Sequence, residues 1–565
     1  MDFVTRPRSV FRRPRIGSIV LAFVVAIYLL FATNQAFWAM AQKIGQDSPY
    51  ALAAGAVALS ALYVAFCISL SVKYAIRPLF IMLVFIAAGA AWFMDSFGTV
   101  IGVDMVDSAF DTSSAEAGNL LTRSFVLHML IYAGIPTLLL LWVRIDHRRF
   151  GAKLLHNSLV ISVCLAVAAG AVFSQSGTLF WAIRQHREMT GLLNPVVPIA
   201  SVVKFALRSD NERKLVVQPL GMDAHVAQIP GRKPRVLVVV VGETARAENF
   251  SLGGYGKPTN PELQRKKNVT YFSDTSSCGT ITAVSVPCMF SVYPRSEYSH
   301  DKAVRTENLT DVLGHAGIDV AWWDNDLGSK SVADRLKGYR QYYTSDDPDF
   351  CKGGECIDAI LLRDLDGWLD GVSQDSLLVL HIEGSHGPSY HDRYPEAFRR
   401  FAPDCRTAEF SECTHEEIVN AYDNTIVYTD HIVASAISAL ERHDGTVDPS
   451  LIFVSDHGES LGEYGLYLHG APYFMAPSQQ THIPYLVWLG QSARSGIDGD
   501  CLAAAASEPQ SHDNLFHTVL GMMDVSTAVY DPALDSLRKC RVASDATFSP
   551  LAYIPEGDPN AGSTR

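Results

Sequence analysis

The sequence predicts an α-helical membrane domain of five transmembrane helices followed by an α/β domain outside the membrane. Three observations carry that expectation. Five apolar runs of spanning length fall within the first 175 residues, and the loops between them alternate between basic and acidic. Charge is divided unevenly: residues 1–230 carry 19 Lys and Arg against 12 Asp and Glu, whereas 231–565 carry 27 against 47. Beyond residue 230, short β-branched runs alternate with helical stretches. At 48% hydrophobic and 19% charged residues over 565 positions, the chain is too apolar for a disordered protein. The large acidic half argues against nucleic acid as a partner, because that role needs a concentrated basic surface.

The five runs are Ile16–Phe37, Tyr50–Val72, Pro78–Met94, Phe125–Val143 and Leu154–Phe173. About 20 apolar residues cross a hydrocarbon core, and the third run is the shortest. Arg6, Arg8, Arg12, Arg13 and Arg15 precede the first run, Lys73 and Arg77 follow the second, and Arg144, Arg148, Arg149 and Lys153 follow the fourth. The longer intervening loop carries Asp95, Asp104, Asp107, Asp111 and Glu116. Basic loops stay in the cytoplasm, so five spans starting inside place everything after residue 175 outside. Ala39-Met40-Ala41 has the small-residue pattern of a signal-peptidase site, but the run before it is longer than a signal h-region and four more spans follow. The expected division is a membrane domain over 1–175, a bridge of interfacial helices over 176–230 and a catalytic domain over 231–565. In the bridge, Trp181, Leu192, Leu193, Val196 and Val202 are mixed with Arg184, Arg187 and Lys204, as suits helices lying at a membrane surface or against the spans.

Of the ten cysteines, Cys67 and Cys164 fall inside spans and read as free apolar fillers. The other eight lie outside. Six form close pairs, Cys278 with Cys288, Cys351 with Cys356 and Cys405 with Cys413; Cys501 and Cys540 are left over as candidates for a fourth, a pairing that spacing alone does not decide. An even number confined to the outside half indicates disulfides in an oxidising compartment.

Within the outside domain, Arg235–Val241, Val320–Trp323, Leu377–Ile382, Leu451–Ser455 and Tyr485–Leu489 are continuous apolar runs, which predict strands buried on both faces. Helical stretches such as Glu417–Leu440 lie between them, so the sheet should be largely parallel. Ligands of such sheets sit at the carboxyl ends of the strands. There the chain places Gly242-Glu243-Thr244, Ser455-Asp456-His457-Gly458-Glu459 and His381-Ile382-Glu383-Gly384-Ser385-His386-Gly387. Carboxylate and imidazole ligands together suit Zn2+. The His381–His386 spacing does not match the His-Glu-x-x-His helix of zinc proteases. A nucleophile is sought in Cys278-Gly-Thr-Ile-Thr-Ala-Val-Ser-Val-Pro-Cys288. Thr280 follows a glycine and opens a predicted helix, whose N-terminus favours a phosphate. It would serve equally as an ordinary N-cap, and Thr282 and Ser285 are competing hydroxyls.

These motifs, with Asn420-Ala-Tyr-Asp-Asn424, Tyr467-Leu-His469-Gly and Gly384-Ser-His386-Gly-Pro388, resemble those of the lipid A phosphoethanolamine transferases. That family includes the mobile colistin-resistance enzymes. The resemblance covers nearly the whole chain. It implies an alkaline-phosphatase- or sulfatase-like periplasmic domain on a bacterial inner-membrane anchor, and a zinc-dependent ping-pong transfer. Phosphoethanolamine would pass from phosphatidylethanolamine to lipid A and confer polymyxin resistance. It further implies Thr280 as nucleophile, and Glu243, Thr280, Asp456 and His457 as ligands of one tightly bound Zn2+. His386 and His469 match residues that hold a second zinc or contact the phosphoethanolamine group, Lys330 a substrate-phosphate contact, and Thr112 and Glu116 donor-binding positions. Ser108 stands where the family often has Asn. A monomer is expected.

Physical reasoning agrees, because both lipids are membrane-bound and a tethered catalyst raises their local concentration. His386 or His469 could protonate the diacylglycerol leaving group or deprotonate the acceptor. Alternatives are transfer to lipopolysaccharide core sugar, phosphoglycerol transfer, a sulfatase and an inactive scaffold. The outside cysteines disfavour phosphoglycerol transfer, and no Cys/Ser-x-Pro-x-Arg motif supports a sulfatase. His315, His391, His415, His443 and His512 read as solvated or capping residues, His482 as a residue near the site, and Asp423 and Asn424 as structural hydrogen-bonding groups.

Overall fold

The computed structural model describes residues 13–542 except 47, 113, 213–215 and 228. Arg6, Arg8, Arg12 and the tail beyond 555 lie outside the described residues. Two compact units result: residues 1–106 with 121–206, and residues 107–120 with 207–565. The second unit thus takes in residues 107–120 of the loop after the third span as well as the chain beyond residue 206.

In the first unit, Pro49–Ser69, Ile76–Phe97, Arg123–Trp142 and Phe150–Ser174 are long and apolar enough to span. The first run differs from expectation. It is two helices, Ser18–Ala32 and Gln35–Ile44, bent by 66°. A break inside an apolar run must re-satisfy its freed backbone groups. Here Thr33 Oγ1 donates to the Leu29 carbonyl at 2.7 Å, and Asn34 Nδ2 donates to Leu29 and to Asn194, at 2.8 and 2.7 Å. Asn194 returns its amide to Thr33 and Ala87 carbonyls. The fourth span carries a single π turn at Leu130–Gly134 just before Pro136, which cannot donate to an α ladder. His128 sits in this span, 3.1 Å from the Ala88 carbonyl and stacked on Tyr132, so it packs between helices.

The second unit is built on a seven-stranded sheet. Its strands are β1 (Arg235–Gly242), β2 (Val269–Phe272), β3 (Asp319–Asp324), β4 (Gly338–Gln341), β5 (Ser376–His381), β6 (Asp448–Ser455) and β7 (Tyr485–Leu489), in the order β2-β7-β6-β1-β5-β3-β4. From β6 through β4 the pairing is parallel; β7 runs antiparallel to β6 and to β2. The five expected strands are present, and the edge strands β2 and β4, each only four residues long, are additions. Side chains alternate across a strand. Leu237, Val239 and Val241 pack with Val286, Leu313 and Phe516 on one face. The helix His415–His443 lies against β6 elsewhere in the core, started by a capping box of Thr414 and Glu417. Disulfides join Cys278–Cys288, Cys351–Cys356, Cys405–Cys413 and Cys501–Cys540, while Cys67 and Cys164 are free.

Register fixes what the strands deliver. Ser455 pairs with Gly242, His381 with Val241, and Asp324 with His381. The carboxyl ends of four adjacent parallel strands thus present Asp456, Glu243, His381 and Asp324 side by side.

Candidate active site

Glu243, Asp456 and His457 are fully buried and converge. His457 Nε2 lies 3.2 Å from Asp456 Oδ2 and 3.5 Å from Glu243 Oε1. Glu243 Oε1 and Asp456 Oδ2 have no hydrogen-bond partner. Burial, with Asp456 nearby, pushes the Glu243 carboxyl well above the usual carboxylate range, and burial raises Asp456 as well. Burial, with His469 beside it, holds His457 well below its ordinary value, so its imidazole is neutral. Its Nδ1 faces the Gly458 carbonyl at 2.9 Å, which leaves the Nε2 lone pair turned toward the carboxylates. Two carboxylates with orphaned oxygens and an imidazole with a free lone pair are a fitting donor set for Zn2+. A bound cation would reverse the cause of the raised carboxyl pKa values.

The backbone is bent to make this possible. Thr244 sits at φ +51° and donates its N–H to Asp456 Oδ1 at 3.1 Å. Gly384 at φ +55° passes so close that a Cβ there would lie 2.7 Å from the Glu243 carbonyl oxygen. Ser385 N–H then donates to that same oxygen at 3.0 Å, which docks the His386 loop against β1. The two oxygens of Asp358 accept from the Glu383 and Gly384 N–H groups and hold the loop from behind.

The hydroxyl that reaches the cluster is Thr282, not Thr280. Thr282 Oγ1 donates to Glu243 Oε2 at 3.1 Å and lies 3.5 Å from His457 Nε2. It is the first residue of the helix Thr282–Met289 and is half-buried, so it remains open to a substrate. Thr280 Oγ1 instead donates to the Ala471 carbonyl at 2.7 Å, and the Thr280 carbonyl accepts from Gly470 N–H at 2.9 Å. Thr280 is also not the N-cap, a place taken by Ile281. Ser285 is fully buried, with its Oγ accepting from Gly279 N–H at 2.9 Å. The turn Ser277–Ile281 therefore aims Thr280 at the His469 loop and Thr282, two positions on, at the metal-type ligands.

His469 and His386 flank this point, with ring centroids 4.5 Å from His457 to His469 and 5.5 Å from His469 to His386. His469 Nδ1 lies 2.9 Å from Glu459 Oε2, and Tyr390 Oη donates to Glu459 Oε1 at 2.7 Å. Burial, reinforced by His469 and Arg393, pushes His386 well below its ordinary value. Lys330 donates to the Leu327 carbonyl from a left-handed backbone at φ +49°, and its charge bears on both His386 and Asp326. Thr112 Oγ1 donates to the Ser108 carbonyl at 2.9 Å. The Glu116 side chain lies outside the described residues.

His512 corrects a different expectation. It is buried, not solvated. Cys278 N–H donates to its Nδ1 at 2.9 Å, and its Nε2 faces the Ser455 carbonyl at 2.8 Å. It ties the Cys278 segment to the end of β6, and burial lowers its pKa to about 4. Asp423 accepts from Asn249, Tyr255 and Lys257, and Asn424 from the Arg400 and Phe401 N–H groups, so both are structural as expected.

A family model described as phosphoethanolamine transferase EptA/EptB matches residues 58–209, and a sulfatase model matches 235–525. The phosphoethanolamine transferase EptA of Escherichia coli K12 is 37% identical over 555 residues, covering 95% of this chain and all of the relative. The phosphatidylethanolamine transferase Mcr-1 of Escherichia coli is 35% identical over 533 residues, covering 92% and 97%. Among solved structures, the integral membrane lipooligosaccharide phosphoethanolamine transferase A of Neisseria meningitidis superposes with a TM-score of 0.86 at 34% identity, over 94% of this chain and all of that one. Its soluble domain alone is 43% identical and gives 0.57 over 58% of this chain. With a helical membrane unit, a sulfatase-like α/β unit and relatives matched over nearly their full length, the chain belongs to the EptA phosphoethanolamine transferase family.

Proposed function

We propose that this protein transfers phosphoethanolamine from phosphatidylethanolamine to lipid A at the periplasmic face of the bacterial inner membrane, through a phosphoethanolamine ester on Thr282. The supporting observation is the Thr282 hydroxyl, which alone of the three in its segment touches Glu243 and His457. Glu243, Thr282, Asp456 and His457 would hold one zinc ion, which when bound lowers the hydroxyl pKa and offsets charge on phosphoryl oxygens.

In the first half-reaction, Thr282 Oγ attacks phosphorus, the bond from phosphorus to the glycerol oxygen breaks, and diacylglycerol leaves. Glu243 orients the hydroxyl, which already donates to it, and the Thr282 proton passes to water. His469, held by Glu459, supplies the leaving oxygen with a proton. In the second half, a phosphate oxygen of lipid A attacks the same phosphorus, the bond from phosphorus to Thr282 Oγ breaks, and water returns a proton to that oxygen. His386, neutral because it is buried, accepts the proton of the incoming oxygen when that oxygen carries one. Transfer of this group would reduce the negative charge of lipid A and so weaken polymyxin binding.

Mass spectrometry of lipid A from cells expressing the protein tests this. A phosphoethanolamine-sized gain with the native chain and with Thr280→Val, but not with Thr282→Ala, is expected. A gain that survives Thr282→Ala overturns the nucleophile. A gain found on core sugar alone moves the acceptor.

A further inference from the structure

Beside the transferase cluster lies a second group of ligating side chains, two of which the transfer chemistry does not use. Glu243, Asp326 and His381 bring their ligand atoms within 4.8 Å of one another, and all three are buried. We propose that they form a second divalent-cation site, for zinc or manganese, with Glu243 as the carboxylate shared between the two ions. This site is distinct from His386 and His469 and requires neither of them.

Four features support it. His381 Nδ1 faces Asp324 Oδ2 at 3.4 Å, while Asp324 is itself fixed by the Trp322 indole N–H at 2.8 Å and the Gly328 N–H at 3.2 Å. A carboxylate anchored behind one ring nitrogen is how ligating histidines are oriented. The opposite nitrogen, His381 Nε2, is fully buried and has no hydrogen-bond partner. It points at Asp326, whose Oδ2 is 3.6 Å away, too far for a hydrogen bond and suited to a shared ion between them. Glu243 has one oxygen on Thr282 and one unpartnered, so it has capacity for both sites. Charge gives the fourth. Asp324, Asp326, Glu243 and Asp456 are buried together, and a single divalent ion leaves this excess of negative charge uncompensated in a dry site. The competing arrangement is a protonated His381 held between Asp324 and Asp326.

The test is metal content of the full-length protein in detergent, stripped with a chelator, reloaded with ZnCl2 or MnCl2 and dialysed, then counted by inductively coupled plasma mass spectrometry. Differences between variants are read, so ions at other places cancel. Asp326→Asn and His381→Gln are each expected to lose one ion per chain, Asp456→Asn one, and Glu243→Gln two. Native metal content in both Asp326→Asn and His381→Gln overturns the site and assigns His381 to the protonated ion pair. Loss of a single ion in Glu243→Gln overturns the sharing. Failure of the first site shows separately, as native content in Asp456→Asn. Asp326→Asn changes no volume and keeps the test decisive if His381→Gln does not fold, with a cooperative melt as the control.

Discussion

Between Cys278 and Cys288 the chain has two halves with different partners. The turn Ser277–Ile281 faces the His469 loop: Thr280 binds Gly470 and Ala471 through its carbonyl and its hydroxyl. The helix Thr282–Met289 faces the carboxyl ends of β1 and β6, and its first hydroxyl meets Glu243 and His457. The same side-chain chemistry, displaced by two residues, is a clamp in one half and, in the proposed mechanism, the attacking group in the other. Position relative to the helix start decides which. Thr280 lies in the bend before the helix, where its hydroxyl meets the Ala471 carbonyl. Thr282 lies at the helix N-terminus, where free N–H groups also favour an arriving phosphate.

Thr282→Ala should break the comparison most severely. Transfer should fall by about 10^4-fold or more, because a nucleophile has no substitute. Thr280→Val should keep transfer within about tenfold and lower stability by about 1–3 kcal/mol, since the buried Ala471 carbonyl loses its donor. Rates with a fluorescent phosphatidylethanolamine, together with thermal melts, check both arms; equal loss of transfer in the two variants would dissolve the distinction. Next in size is Glu459→Gln. Glu459 does not reach Thr282 but positions His469, so transfer should fall about 10–100-fold with zinc content unchanged. A changed rate–pH profile, with the fall reversed on return to Glu, distinguishes orientation of His469 from a general loss of structure.

The smallest effect sharpens the comparison through pH. His512 holds the Cys278 end of the turn from the β6 side, and its folded pKa of about 4 lies below the ordinary histidine value. The unfolded chain therefore takes up a proton first as pH falls. Stability from this group is complete above about pH 6.5 and declines by up to about 3 kcal/mol as pH drops to about 4. His512→Gln should lower stability at pH 7 and flatten that decline in urea unfolding. An unchanged slope would remove His512 from the linkage.

Much of this was legible in the sequence because its signals are local. Glu243 and Asp456-His457 each end a short, β-branched apolar run, which by its length and composition reads as a buried strand, whose carboxyl end is where ligands gather. The close cysteine pairs were legible for a similar reason. The choice among three hydroxyls within six residues was not, because it depends on where a helix begins to within one residue, the least readable property of any element. His512 was hidden by distance: its partners, Cys278 and Ser455, are 234 and 57 residues away. His381 was visible as a motif letter, but only strand register, with Asp324 beside His381 and His381 beside Val241, brought it and Asp326 into a group around Glu243. The break at Thr33-Asn34 escaped notice because the apolar run continues through it, and the polar partner that repairs the break, Asn194, lies 160 residues later.

The Cys278–Cys288 disulfide ties together the ends of the segment that aims Thr282. A chain still on the ribosome, in a reducing cytosol, has the residues of the site but not the closed segment that aligns them. Under the proposed topology and mechanism, oxidation follows export, so the closed segment would be completed only outside the cytosol. On that reading the bond is a timer as well as a brace, and synthesis of the chain and competence of its nucleophile are separated in space.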